Sequence, residues 1–384
     1  MTDTIRLYYE DVTTRTFEAR VLECKKEKKG FSVILDRSAF YPEGGGQPCD
    51  TGRLGPAAVM DVQERNGELL HYTDSPLAEG SVVTGEIDWE RRFDLMQQHS
   101  GEHLVSGLIH EKYGYDNVGF HMGSDVITID LSGILTWEQL LEIEEETNRR
   151  IWQNQETVIT YPSEEELKDI PYRSKKELSG QVRIVTFPGT DICACCGTHV
   201  QRTGEIGMVK ILSVVRFHEG VRVEMICGGR VLSYLRTIQE QNHEVSMLLS
   251  AKPEATAAAV KRTLDENSRL KYAFAGLENE SFEAEAERWK DQGSALIFRG
   301  EMEADSVRRL ADKVMHACGG RAAVFSKNPD GSYKYAMGQE GGDLRQLTKD
   351  MNAALSGRGG GKPFFVMGSV KAKEKEIRMF FEEN

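Results

Sequence analysis

His99-Ser100-Gly101-Glu102-His103 and Cys195-Cys196-Gly197-Thr198-His199 are the two stretches on which the reading of this chain turns. In a helix, residues four apart share a face, so His99 and His103 can present both imidazoles to one ion. Zinc proteases carry a glutamate directly after the first histidine as general base; here Ser100 holds that place, so that chemistry is missing. Cys195 and His199 repeat the four-residue spacing, and Gly197 between them would let the backbone bend tightly. Together His99, His103, Cys195 and His199 form a nitrogen–sulfur donor set suited to tetrahedral zinc. Cys196 is the reserve thiolate. The competing reading is a reduced cysteine cluster in a core beside unrelated surface histidines.

Working outward, residues 1–88 read as β structure. Ile5, Leu7 and Tyr9 alternate with polar residues, as do Phe17, Ala19 and Val21, then Phe31, Val33 and Leu35. Asn66-Gly67 between apolar runs is a strong hairpin signal. Several short strands of this kind predict a small β-barrel. Residues 89–230 read as an α+β core: a helix from Trp89 that ends at Gly114, strands near Val126–Ile129, and a helix opened by the capping box of Thr136 and Gln139. Residues 231–285 read as two helices broken at Lys252-Pro253, an arm or linker. Residues 286–384 read as a small α/β unit with buried strands at Ala295–Phe298 and Ala322–Phe325. The expected fold class is therefore multidomain α+β.

The chain has 384 residues, 39% of them hydrophobic, enough for two or three domains with cores. No apolar run of about 18 residues occurs, so no membrane span is expected. The N-terminus lacks the basic and apolar regions of a secretion signal. Seven cysteines, an odd number without such a signal, indicate a reducing compartment, and a cytoplasmic protein is expected. The formal net charge of −13 opposes nucleic-acid binding in the sum, although affinity depends on local patches. The acidic runs Glu144–Glu146 and Glu164–Glu166 read as solvated faces.

The paired motifs resemble the editing domain of alanyl-tRNA synthetase and its free-standing relatives, the AlaX proteins. The synthetase form is usually Cys-Gly-Gly-Thr-His, so Cys196 departs from it at the first glycine. Phe40-Tyr41-Pro42-Glu43-Gly44-Gly45-Gly46-Gln47-Pro48 resembles the glycine-rich motif of the preceding barrel, and Asp88-Trp89-Glu90-Arg91-Arg92 the lead-in to the metal helix. Thr203–Gly207 resembles the segment after the Cys/His motif. The end of the chain, with Gly359-Gly360-Gly361-Lys362-Pro363, resembles the domain shared with DHH-type phosphoesterases, but an Asp-His-His motif is missing. In this order the features match the long free-standing editing factors.

The resemblance implies a trans-editing hydrolase for tRNA(Ala) charged with serine, and with glycine as a further substrate. The alternatives are a non-catalytic tRNA-binding protein with a structural zinc, and editing of Ser-tRNA(Thr). Alanine is smaller than serine, so a pocket must select through polar groups that the serine hydroxyl satisfies. Gln47 is the first candidate, since its amide both donates and accepts. His121 and Glu43 are the others. Gly45 and Gly46 offer either a hairpin turn or a backbone surface that a ligand can approach closely. Gly357–Lys362 is not a phosphate-binding P-loop, because Ser356 and Pro363 occupy the wrong places. Gly360, Gly361 and Lys362 offer a backbone surface for RNA phosphate, or else a flexible turn. With four plausible protein ligands, zinc can be catalytic or can only position substrate. A homodimer is expected through Leu232, Leu235, Ile238, Leu248 and Leu249 of the arm and an apolar edge or face at Phe364–Met367. Lys371, Lys373, Lys375 and Arg378 would then hold the tRNA body.

Overall fold

The computed structural model describes residues 4–174 and 180–384. It is a mixed α+β chain in two units, Met1–Asn242 and His243–Asn384.

In the first unit, strands Thr16–Lys26, Phe31–Leu35, Glu68–Thr73, Ala57–Arg65, Gly52–Leu54 and Val82–Ile87 close into a barrel in that order. Alternation is the cause. Phe17, Ala19 and Val21 point inward while Glu18 and Arg20 face water, which puts apolar side chains on one face of a period-two strand. Val33, Leu35, Leu54, Val62 and Leu69 fill the interior. Asn66 and Gly67, with φ of 54° and 87°, make the turn that joins Arg65 to Glu68. The expected strand at Ile5, Leu7 and Tyr9 stops early. Only Ile5–Arg6 is extended, beside Arg37–Ser38, and Leu7–Glu10 is a helical turn. The buried side chain there is Tyr8, set edge-on to Tyr9 and Tyr41; a strand would have turned it to the opposite face from Leu7 and Tyr9.

Helix Trp89–Tyr113 follows the barrel. The Asp88 carboxylate accepts from the Arg91 backbone N–H at 3.2 Å, and Gly114 closes the helix in the left-handed conformation at φ 69°. Arg92 in the first turn is fully buried and pairs with the fully buried Asp50 of the barrel region. Its Nε donates to Asp50 Oδ1 at 2.8 Å, and its other nitrogens donate to the carbonyls of Val12 and Ala39 at 3.0 and 2.6 Å. Removing one partner would leave a buried unpaired charge, at a cost of about 3–5 kcal/mol. This ion pair fixes where the helix leaves the barrel.

Beside the helix lies an antiparallel sheet ordered Val209–Phe217, Gly220–Cys227, Ile127–Leu131, Asn117–Met122. Leu104 and Leu108 of the helix share a core with Ile127, Ile129, Val223 and Met225. Gly101 permits the approach, because a Cβ there would lie 2.2 Å from Cys227 Sγ. Helix Trp137–Trp152 starts at the expected capping box. A smaller sheet pairs Val158–Thr160, Ile184–Phe187 and Asp191–Ala194.

Helix Gly229–Leu248 contains the division between the units, and helix Thr256–Arg288 follows in the second unit. There Thr256–Arg288 packs on helix Ala304–Cys318, and a five-stranded sheet runs Gly293–Arg299, Gly319–Lys327, Tyr333–Gln339, Phe365–Val370, Arg358–Lys362. Two expectations are corrected here. Phe365–Val370 is not an apolar edge: Arg358–Lys362 pairs outside it, and Val366 is buried. The glycine run is accordingly an edge strand and not a flexible turn. Among the described residues, no helix is long and apolar enough to cross a membrane.

Candidate metal centre

The first unit brings His99, His103, Cys195 and His199 together, with one ligand atom from each within 4.8 Å of the others. His99 and His103 sit one turn apart on the helix. Asp191, Cys193 and Cys195 alternate along the strand Asp191–Ala194 and its continuation, so all three lie on one face. The Cys195 Sγ is 3.5 Å from His99 Nε2. Cys196 is exposed and uses its backbone carbonyl to accept from the Tyr9 hydroxyl at 3.1 Å, so Cys195 is the thiol in the cluster. Arg183 holds the loop by donating to the carbonyls of Cys195 and Gly197 at 2.7 and 3.1 Å. Gly197 matters by closeness and not by a special φ: a Cβ there would lie 2.2 Å from His99 Cε1 and 3.0 Å from Gln47 Oε1. Ser100, one residue after His99, accepts from the Val200 backbone N–H at 3.1 Å and so anchors the chain beyond His199.

The donor set fits a metal. All three histidines are buried, and neither ring nitrogen of His199 has a hydrogen-bond partner. A buried polar atom without a partner is costly, so the unpartnered His199 ring beside the other three donors favours an ion there. Burial drives the pKa of His199 down to about 3, which keeps the ring neutral. Burial would raise the Cys195 thiol, but the surrounding imidazoles hold it well below its ordinary range. Neutral imidazole and thiolate are the ligating forms.

Each helical histidine has an outer partner. His99 Nδ1 lies 2.8 Å from Gln47 Oε1. That amide oxygen also accepts from the Thr198 N–H at 3.1 Å, and the amide nitrogen donates to Thr198 Oγ1 at 2.8 Å. Gln47 is buried and positions His99 from behind. His103 Nδ1 lies 2.8 Å from Asp191 Oδ2, and Arg173 grips the same carboxylate at 2.8 and 3.0 Å. Burial opposes the charges of this trio, but the carboxylate keeps the His103 pKa well above its ordinary value. Asp191 is itself held below its usual range by His103 and Arg173, against the opposing effect of burial.

The remaining sequence candidates divide. Gly45 and Gly46 are the centre of a two-residue hairpin in which Gly44 and Gln47 exchange backbone hydrogen bonds at 3.0 Å. Their φ values of 61° and 85° are the requirement of a type I′ turn. Gly46 also lies against Phe120, where a Cβ would come within 2.7 Å of the ring. Phe120 stacks on His99 with centroids 5.3 Å apart, so the turn reaches the cluster through this ring. Glu43 is exposed and accepts from Gln63 at 2.9 Å. His121 does not join the cluster. It is exposed and next to Phe120 on an extended strand, so its side chain takes the opposite face. Gly360, Gly361 and Lys362 belong to the second unit, where they line a cleft of about 350 Å³ with Arg308, Asp312 and Phe364. Asp191, Arg173, Thr198 and Phe120 went unread in the sequence. The alternation Asp191-x-Cys193-x-Cys195 was the available signal for the first; the others carry none.

The first unit thus joins a closed barrel to a cluster of three buried histidines and one partly exposed cysteine that could hold a metal ion. Three family models match segments of the chain: "tRNA synthetases class II (A)" over residues 4–91, "Threonyl and Alanyl tRNA synthetase second additional domain" over residues 182–224, and "DHHA1 domain" over residues 292–383. The alanyl-tRNA editing protein AlaX-L of Pyrococcus horikoshii is 29% identical over 97% of this chain and 96% of its own length. Alanyl-tRNA editing protein Aarsd1-A of Xenopus laevis is 32% identical over 69% of this chain and 68% of its own. The alanine–tRNA ligase of Halorubrum lacusprofundi is 31% identical over 95% of this chain, which spans only 42% of that ligase. The chain belongs to the alanyl-tRNA editing protein family.

Proposed function

We propose that this protein is a zinc-dependent aminoacyl-tRNA deacylase that acts in trans on tRNA(Ala) carrying serine, and more weakly on tRNA(Ala) carrying glycine. The observation that carries the reading is the convergence of His99, His103, Cys195 and His199 on one point, in a chain of this family. Bound zinc supplies Lewis-acid polarisation of an ester or a water with a pKa near 7. The chain's own residues do the rest. Gln47 and Asp191 orient the two helical imidazoles, the Phe120 ring covers His99, and Arg183 fixes the loop that carries Cys195 and Gly197. Cys195 is the one partly exposed member of the cluster, so the ester approaches from its side, past Gly45, Gly46 and Glu43. Serine is selected over alanine by polar groups at that opening, because an unpaired buried polar group discriminates far more strongly than a missing methylene.

Deacylation of Ser-tRNA(Ala), Gly-tRNA(Ala), Ala-tRNA(Ala) and Ser-tRNA(Thr) by the full chain tests this. Fast release from the first, slower release from the second and little from the others is expected. Tight tRNA binding without release of serine would overturn the hydrolase reading in favour of a binding protein with a structural zinc, and a preference for Ser-tRNA(Thr) would overturn the tRNA identity.

A homodimer is the accompanying proposal. Leu232, Leu235 and Ile238 are 62%, 45% and 45% exposed along helix Gly229–Leu248, an apolar row that a second copy would cover. Light scattering at micromolar concentration should give twice the chain mass, and the mass of one chain would refute it.

A further inference from the structure

We propose that Asp191, clamped by Arg173, is the positioning residue of the metal centre: it fixes the orientation and the Nδ1 proton of His103 so that Nε2 faces the other three ligands. The proposal rests on the reading of the cluster as a metal centre. The Asp191 carboxylate is buried, 2.8 Å from His103 Nδ1. Arg173 donates Nε and Nη2 to its two oxygens at 2.8 and 3.0 Å. The clamp is tied to the strand it grips, since the Arg173 N–H donates to the Ile192 carbonyl at 2.8 Å and its own carbonyl accepts from Ala194 at 2.9 Å. One helical turn beyond His103, Gly107 allows the approach. A Cβ there would lie 2.4 Å from the Thr190 carbonyl oxygen and 2.7 Å from Asp191 Cβ. Successive turns of the helix thus carry His99, His103 and a glycine that admits the partner of His103.

The two helical ligands differ in kind. His99 leans on a neutral amide oxygen, His103 on a carboxylate. A carboxylate behind an imidazole fixes its tautomer and strengthens it as a ligand, and losing such a partner typically costs 10–100-fold in metal affinity. His103, Asp191 and Cys193 also lie within 4.8 Å of one another. They do not make a second cation site, because both carboxylate oxygens are taken and a guanidinium stands beside them.

The test is a cobalt(II) titration of the full chain against a competing chelator, without tRNA, on wild type, Asp191→Asn, Arg173→Met and Gly107→Ala. Thermal melting of the metal-free proteins checks folding. Wild type should bind one ion with a thiolate-to-cobalt absorption band. Asp191→Asn should bind about 10–100-fold more weakly with a shifted ligand-field spectrum, Gly107→Ala should follow it, and Arg173→Met should lose less. Asp191→Asn with wild-type affinity and spectrum would overturn the proposal. If Asp191→Asn does not fold, wild-type affinity in Gly107→Ala would do the same. A wild-type chain that binds no ion would instead overturn the metal-centre reading itself.

Discussion

Gly45 and Gly46 turn a tight hairpin whose next residue, Gln47, is buried against His99 and Thr198. Gly360 and Gly361 lie along an exposed edge strand whose next residue, Lys362, is exposed as well. The two runs have the same composition and a similar polar successor, yet within its own unit the first reaches the His/Cys cluster, whereas the second runs along a sheet edge of the other unit. The difference lies in the backbone. Gly45 and Gly46 need positive φ, and Gly46 needs room beside Phe120. Gly360 has neither need, since nothing lies within 4 Å of where its Cβ would be. A glycine run carries no chemistry of its own; it matters where it lets the chain turn a particular side chain into a core.

The largest expected contrast between the two units is in acid. His71 is buried in the barrel that presents the first run, its nitrogens against Ser38 Oγ at 2.7 Å and the Val33 carbonyl at 3.1 Å. Burial lowers its pKa from 6.5 to about 4. The unfolded chain then binds the extra proton first, so this stability is complete above pH 6.5 and is lost as pH falls toward 4. The loss amounts to roughly 3 kcal/mol. Melting temperature measured from pH 7 to 4 should fall less steeply in His71→Gln than in wild type; equal slopes would remove His71 as the cause. Among the described residues, no histidine of the second unit is buried, so no matching response is expected there.

Next in size is Gln47→Ala. It strips the outer partner from His99 and should lower both metal affinity and Ser-tRNA(Ala) deacylation by about 10–100-fold. Loss of deacylation with unchanged metal affinity would mean that Gln47 meets the substrate after all.

Gly46→Ala comes third, with a cost of about 1–3 kcal/mol from left-handed strain and displacement of Phe120. Denaturant unfolding measures it. The smallest effect is Gly360→Ala, expected within about 0.5 kcal/mol of wild type. A Gly360→Ala cost equal to that of Gly46→Ala would dissolve the contrast between the two runs.

How much was legible follows from the range of each interaction. The His/Cys cluster could be read because its spacings are local: a helix puts His99 beside His103, and a short loop puts Cys195 beside His199. The barrel could be read because period-two alternation and Asn66-Gly67 are also local. His121 lies on the strand face opposite Phe120, and local sequence gives no sign of which face meets the cluster. The contacts of Gln47 with His99 and Thr198 could not be read, because these partners lie 52 and 151 positions away. Asp191 lies 88 positions from His103 and was missed.

The second unit shows the same limit. Hydropathy marked Phe364–Met367 as an apolar edge or face, but strand order is set by pairing, and the pairing with Arg358–Lys362 moves strand Phe365–Val370 from edge to interior. Likewise Leu7–Glu10 carries an alternating pattern that burial of Tyr8 overrides.

The sequence by itself determined the candidate ligand residues, the helix and loop that carry them, and the inward face of barrel strands such as Thr16–Lys26, because these depend on periodicities within a few residues. Only the tertiary structure decided which histidine nitrogen faces inward, which thiol joins the cluster and what the Gly45–Gly46 turn packs against. Those outcomes depend on groups that meet across the fold, where a carboxylate, an amide or a missing Cβ fixes a ring that the local chain leaves free to turn.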